Sequence, residues 1–547
     1  MTGRYTSTRL LDRRRFLSAA GLLAAGSAFG HPLLGCVADF ETNIPCLGVV
    51  PAPVPVAGMS YIRASQIGCA LDCDLRNGRN KYTGGAATDD GPRINAAMAG
   101  ATESSPITLI IDGSALISGL FLPAGGHWSI AGLGCGTGFF VKMGTNNDGI
   151  HNGSPDAAAP SDPGPPVPVR GANVRLSNFA INGNRGNGRN GNSTTGSAKG
   201  DSEKNQWYFA INLMNLNDIS IENVVVVNSS TYNIRFSNVG NVTVSGCVIK
   251  STGPNTDGLH FNGPANDVAI SSCDFTTGDD AIALNCPEGH RGNISRVAVD
   301  KCTFNSTAMM RLHTIPGSWS SEKFTIDTVT VSNCKGTLSE TAFWLGSGAG
   351  SMPNSVTGLT ITDCSFVTPT VFELSANFGN IALNNVTLVP LDTVQPPGFA
   401  FARTSKSFKG MTYEGSRLFF NHCVIARNRG FDVAALILEN DSAISSLEFN
   451  GFAVEDAPGE SHSSARELLH IVSGSVGQLV IDALDSAHIK APVSTGGFSS
   501  IGSVNGAGVL ATGWEFPDAV MANGTPYISA NSHLPSVKVD GAVELLP

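Results

Sequence analysis

Val242-Thr243-Val244-Ser245-Gly246-Cys247, Val268-Ala269-Ile270-Ser271-Ser272-Cys273, Val297-Ala298-Val299-Asp300-Lys301-Cys302, Val329-Thr330-Val331-Ser332-Asn333-Cys334 and Leu359-Thr360-Ile361-Thr362-Asp363-Cys364 are one phrase written five times. Each copy alternates apolar and polar residues, the period of a strand whose two faces differ. Each copy ends on a cysteine, and the cysteines recur every 26 to 32 residues. Asn178, Asn223 and Asn385 read as the same slot in weaker copies, and Cys423 extends the series. A unit of this length cannot bury its apolar face alone, whereas stacked copies can. No helical period intervenes, so each copy is one coil of a parallel β-helix, with coils about 4.8 Å apart. Like residues then form a ladder through one turn. The laddered cysteines are small buried fillers rather than disulfide partners, and Cys69 and Cys73, outside the repeat, are the better disulfide candidates.

The start of the solenoid is also legible. Asp89-Asp90-Gly91-Pro92 followed by Ile94, Ala97, Met98 and Ala101 reads as an N-cap, a proline in the first turn and one apolar stripe. Such a helix would plug the first coil, whose strand edges are otherwise unpaired. Short strands near 107–111, 116–122, 128–131 and 139–143 begin the coils. Two loops interrupt them, one Pro-rich over 153–168 and one rich in Gly, Asn and Ser over 183–204. Loops of that length on a solenoid wall a groove. After about residue 370 the repeat degrades, and alternating strands continue to about Val543 as irregular coils and a cap.

Ahead of the solenoid, Arg13-Arg14-Arg15-Phe16-Leu17 precedes an Ala/Gly-rich apolar stretch from Leu22 to Phe29, which reads as a twin-arginine export signal. Leu33-Leu34-Gly35-Cys36 then reads in two ways: a lipobox, with Cys36 lipidated and the protein anchored to a membrane, or a bystander to cleavage after Gly26-Ser27-Ala28. The expected organisation is a signal over 1–36, a linker over 37–59 and one β-helix domain over 60–547, with catalytic coils at about 207–350. The expected location is outside the cytoplasm: periplasmic, lipid-anchored or secreted.

Composition narrows the functional classes. Of 547 residues, 14% are charged, 41% are apolar and 63 are glycine, too apolar for a disordered chain. The net charge of −10 leaves no basic surplus for nucleic acid. Beyond the N-terminus no run of 18 apolar residues occurs, so no membrane-spanning helix is expected.

Two consecutive coils concentrate the chemistry. Cys247 is followed by Asn255-Thr256-Asp257-Gly258-Leu259-His260-Phe261, and Cys273 by Gly278-Asp279-Asp280-Ala281-Ile282-Ala283-Leu284. With Leu259, Phe261, Ile282 and Leu284 inward, stacking brings Asp257 to Asp279 and Asp280. Three carboxylates so placed repel, and one is expected to hold a proton. A protonated carboxyl beside an ionised one is what glycosidic cleavage needs, and an inverting pair stands about 6.5–9.5 Å apart. Turn chemistry alone also favours Asn, Asp and Gly, but both motifs in matching places of adjacent coils favour catalysis.

Over most of residues 60–370 the sequence resembles the polygalacturonase family, glycoside hydrolase family 28, within the pectate-lyase-like superfamily. Asn255-Thr256-Asp257 and Gly278-Asp279-Asp280 are the most specific part of the likeness. The resemblance implies an all-β fold, a single-stranded right-handed parallel β-helix with an N-terminal capping helix, and hydrolysis of pectic polymers with inversion. It implies Asp279 as general acid, with Asp257 and Asp280 activating water. Ile181-Asn182-Gly183, ahead of the loop ending in Trp207, is similar to the family's glycine-rich stretch before an aromatic. Gly289-His290-Arg291 and Arg311-Leu312-His313 depart from the family's Gly-His-Gly and Arg-Ile-Lys. The polymer therefore stays open between polygalacturonate, rhamnogalacturonan and another acidic polysaccharide.

Strand alternation turns Arg235, His260, Arg311, His313 and Trp344 outward, and these are the expected substrate-binding residues. An arginine suits a uronate carboxylate, and a tryptophan suits a sugar face. The expected partner is a polysaccharide bound by a monomer, with no nucleic acid, no cofactor and no metal. Two rivals stand beside this reading. One is a calcium-dependent lyase or uronate epimerase, with the aspartates as metal cage and Arg311 as base. The other is a non-catalytic glycan-binding β-helix.

Overall fold

Alternation decides which side of each strand meets the core, and stacking decides what it meets there. A computed structural model describes residues 44–46, 48–145, 147–153, 171–185, 208–286, 291–314, 324–347, 355–391, 400–404, 412–428, 433–439, 441–456, 465–484 and 489–505, with two-residue strands at 515–516, 532–533 and 542–543. The twin-arginine stretch, Cys36, most of both long loops, Trp207, Gly289 and His290 lie outside the described residues. The described strands pair in parallel from coil to coil, giving the all-β right-handed parallel β-helix. One inward column runs Ile211, Ile234, Leu259, Ile282, Met310, Phe343 and Phe372, every member without exposure. Its neighbours stack face to face, as Phe236 on Phe261 at 4.5 Å. Each such side chain contributes roughly 1.5–3 kcal/mol by leaving water, so the stacked interior supplies most of the stabilisation.

The cysteine ladder forms as expected. Cys247, Cys273, Cys302, Cys334 and Cys364 are buried and unpaired, and their successors Val248, Asp274, Thr303, Lys335 and Ser365 stand in one register. The asparagines, however, do not share that slot. Pairing of Ala180 with Val225 and of Val225 with Val248 puts Phe179 and Val224 in line with Cys247, and Cys364 pairs with Val386. Asn178, Asn223 and Asn385 stand one residue earlier, level with Gly246, Ser272, Lys301, Asn333 and Asp363. All eight have φ between +50° and +62°. That position is a left-handed bend, which asparagine and glycine tolerate best. The next is an interior slot, which is filled by buried Cys, Val or Phe side chains.

At the N-terminal end the helix Gly91–Met98 forms with Pro92 in its first turn and buries Ile94 and Met98. Asp90 caps the chain differently from the expectation. Its carboxylate accepts the backbone N–H groups of Ala70 at 2.8 Å and Leu71 at 2.9 Å, tying a preceding loop to the helix rather than closing its own first turn. The expected Cys69–Cys73 bridge is corrected. Both are free and buried, and burial pushes each thiol up to about 12. The disulfide joins Cys46 to Cys135 across 89 residues, with Cα atoms 5.0 Å apart. Nearness in sequence did not bring Cys69 and Cys73 to bonding distance, whereas the chain before the solenoid crosses back to Cys135. Among the described residues no helix is long and apolar enough to cross a membrane.

Candidate active site

The two motifs lock to each other through Thr256. Its hydroxyl donates to the carbonyl of Ser251 at 2.7 Å and also to that of Gly253, and accepts the N–H of Gly278 at 3.1 Å. The turn before Asp257 is thereby fastened to the turn before Asp279. Gly278 is required by close approach, because a Cβ there would meet the Gly253 carbonyl. Gly258 donates its N–H to the Asp280 carbonyl at 2.9 Å, and Leu259 pairs with Ile282, so Asp257 stands level with Asp280 rather than Asp279. In the next coil that level is taken by Ala308.

Asp257, Asp279 and Asp280 converge, all buried, with one carboxylate oxygen of each within 4.8 Å of the others. Exposure is 4%, 7% and 2% in that order. The approach is closer than the separation of about 6.5–9.5 Å expected for an inverting pair. Crowded, buried carboxylates resist full ionisation. Burial first, and then the charge of Asp279, push the Asp280 carboxyl well above the ordinary carboxylate range, against the pull of Arg311. Arg311 lies 3.5 Å from Asp280 and over the Trp344 ring at 4.7 Å. Burial lowers its affinity for the proton, but the three aspartates together raise it.

The outward column runs Asn212, Arg235, His260, Ala283, Arg311, Trp344 and Glu373, so four of the five expected binding residues share one row. His313 belongs to the adjacent outward row, in line with Asn262, Asn285 and Gly346. Arg235 and His260 are buried. His260 Nδ1 lies 2.7 Å from Asp257 Oδ2, and its ring stacks on Tyr232 at 3.7 Å, which stacks on Phe209 at 5.5 Å. Arg235 sits over the Phe209 ring at 5.2 Å. Arg311 Nε and Trp344 Nε1 are buried donors that meet no acceptor among the described residues. Sequence reasoning missed Tyr232, Phe209 and Asn262. Asn262 carried a usable signal, since it lies two residues beyond His260 and so on the same face.

The model of Glycosyl hydrolases family 28 matches residues 150–342. No curated protein matches the chain. Among solved structures, a family 28 exopolygalacturonase of Yersinia enterocolitica is 14% identical, over 75% of this chain and 78% of that one, with a TM-score of 0.48. The surface adhesin PfbA of Streptococcus pneumoniae is 12% identical, over 89% and 99%, with a TM-score of 0.48. An exopolygalacturonase from Thermotoga maritima is 13% identical, over 91% and 97%, with a TM-score of 0.44. The stretch matched by the family model contains all three converging aspartates.

Proposed function

We propose that the protein is an exported hydrolase that cleaves an acidic, pectin-like polysaccharide with inversion, Asp279 acting as general acid and Asp257 and Asp280 holding the attacking water. The observation that carries this reading is the convergence of three buried carboxylates from adjacent coils inside the family-matched segment. Asp279 and Asp280 are sequence neighbours in one cluster, so the proton that burial favours on Asp280 stands beside Asp279. Asp279 is the more exposed member and meets the leaving oxygen, while Arg311 holds Asp280. The unsatisfied donors of Arg311 and Trp344 take acceptor oxygens of the sugar, a carboxylate at the arginine above all. His313, one row further along, contacts the same chain.

The short separation of the carboxylates favours a second reading, retention through a covalent intermediate, which places its pair about 5–5.5 Å apart. Product stereochemistry separates the two. Polygalacturonate, rhamnogalacturonan and other acidic polymers are offered to the purified protein, with reducing ends counted and the first-formed anomer read by NMR. The expected result is hydrolysis of an acidic polymer with inversion. Asp279→Asn is expected to lose about 10²–10⁴-fold in kcat on the polymer but far less on an activated aryl glycoside, whose oxygen needs no proton. Wild-type turnover of the polymer by Asp279→Asn overturns the assignment, and a retained anomer overturns inversion.

A further inference from the structure

The inner wall of the site is a chain of hydrogen bonds with a single direction. Asn262 faces Arg235 on one side and His260 on the other. Arginine can only donate, so the Asn262 oxygen must turn to it, accepting from Nε at 3.0 Å and from Nη2 at 2.8 Å. The Asn262 nitrogen then lies 2.8 Å from His260 Nε2. An amide nitrogen also only donates, so Nε2 must offer a lone pair. The ring proton is left on Nδ1, which lies 2.7 Å from Asp257 Oδ2. Every link passes a proton donor toward the carboxylate: Arg235 to Asn262, Asn262 to His260, His260 to Asp257.

We propose that Arg235 is a positioning residue: acting through Asn262, it holds His260 as the neutral Nδ1–H tautomer and thereby fixes Asp257 to receive the attacking water. Which ring nitrogen of a histidine carries the proton is set by the bond the other nitrogen makes. Here a cation one coil away, linked by Asn262, dictates that bond. The stack of Phe209, Tyr232 and His260 keeps the imidazole from swinging, and Phe209 also underlies the guanidinium. Asp257 receives this bond on Oδ2. The arrangement follows the logic by which a hydrolytic triad uses one group to orient a second and a second to orient a third. Arg235 therefore works beneath the groove rather than against the substrate, and its burial, 7% exposed, agrees.

This inference rests on the hydrolase reading for its kinetic consequence, but its structural core does not. The test begins with the wild-type protein labelled with ¹⁵N-histidine, the His260 ring being assigned by its loss in His260→Phe. The expected spectrum is a neutral ring protonated at Nδ1. A proton on Nε2, or a charged ring at neutral pH, overturns the relay without touching the assignment of the aspartates. Asn262→Asp places an acceptor against Nε2 and is expected to convert the ring to the charged or Nε2–H form. With it, kcat on the polymer is expected to fall about 10- to 100-fold, the range typical of partners that orient a working group, with KM unchanged. Arg235→Met is expected to fall likewise, and Arg235→Lys, which keeps a cationic donor, to recover part of the loss. A rise in KM at unchanged kcat in the Arg235 variants would place that residue against substrate and sink the proposal. Failure of Asp279→Asn to impair turnover would instead strike the hydrolase reading alone.

Discussion

Asp280 is the residue where burial and catalysis conflict most openly. In the folded chain its carboxyl is raised by desolvation first and by Asp279 second; in the unfolded chain it returns to about 3.9. The folded state therefore holds a proton that the unfolded state releases. Stability from this source is fully present below the unfolded value and is lost as pH rises through the folded one. Asp280→Asn keeps the shape and removes the ionisation. We expect it to melt above the wild type at pH 7, with the gap closing toward pH 4 and activity lost. Calorimetric melting at pH 4, 5, 6 and 7 checks this. A gap independent of pH, or a wild type more stable at pH 7, contradicts it. The same crowding that costs stability retains the proton an acid catalyst needs.

At the scale of the element, each coil turns through a left-handed residue followed by an interior one, and the two places ask for opposite chemistry. Lys301 has φ +53°, while Cys302 has no exposure and its thiol meets the Asp300 carbonyl at 3.4 Å and the neighbouring thiols of Cys273 and Cys334. Exchange by asparagine distinguishes the two. Lys301→Asn is expected to be neutral or slightly stabilising, because asparagine tolerates the left-handed region. Cys302→Asn buries a polar amide in a column of Cys, Val and Phe side chains and is expected to cost roughly 1–3 kcal/mol. Cys302→Val, the residue found at Val224 and Val386 of the same column, is expected to stay within about 1.5 kcal/mol. Denaturant melts of the three variants settle the order, and equal tolerance of asparagine at 301 and 302 would contradict the offset between the two ladders.

For the molecule as a whole, the N-terminal end of the solenoid is held by two devices, the plug helix Gly91–Met98 and the Cys46–Cys135 disulfide. A bridge closing 89 residues is expected to stabilise by about 2–4 kcal/mol and to need an oxidising compartment. Joined to the proposal of twin-arginine export, this yields one test. Changing Arg13 and Arg14 to Lys is expected to leave the precursor in the cytoplasm with Cys46 and Cys135 open to alkylation, whereas exported protein has both blocked. Normal export of that variant would remove the route. A bridge present in the retained precursor would separate oxidation from export.

What the sequence determined by itself was whatever repeats or alternates. The five phrases ending at Cys247 through Cys364 specified the coil, its length and its stacking, because a residue one period on must be a spatial neighbour. Strand alternation alone put Arg235, His260, Arg311 and Trp344 in one outward row, and the paired motifs brought the three aspartates together. Tertiary structure decided what depends on offsets of one residue or on chains meeting from afar. The asparagine and cysteine ladders differ by a single position, and the strand pairing and backbone dihedrals show why, the first lying in a left-handed bend and the second in the interior. The partner of Cys46 lies 89 residues away, and no local pattern encodes that meeting. Asp257 faces Asp280 rather than Asp279 because the register of the strands, not the spacing of the motifs, sets the level. Strand alternation puts Asn262 on the His260 face, but its role, like that of Tyr232, became legible only once His260 had neighbours in three dimensions, since stacking and hydrogen-bond direction belong to contacts between coils.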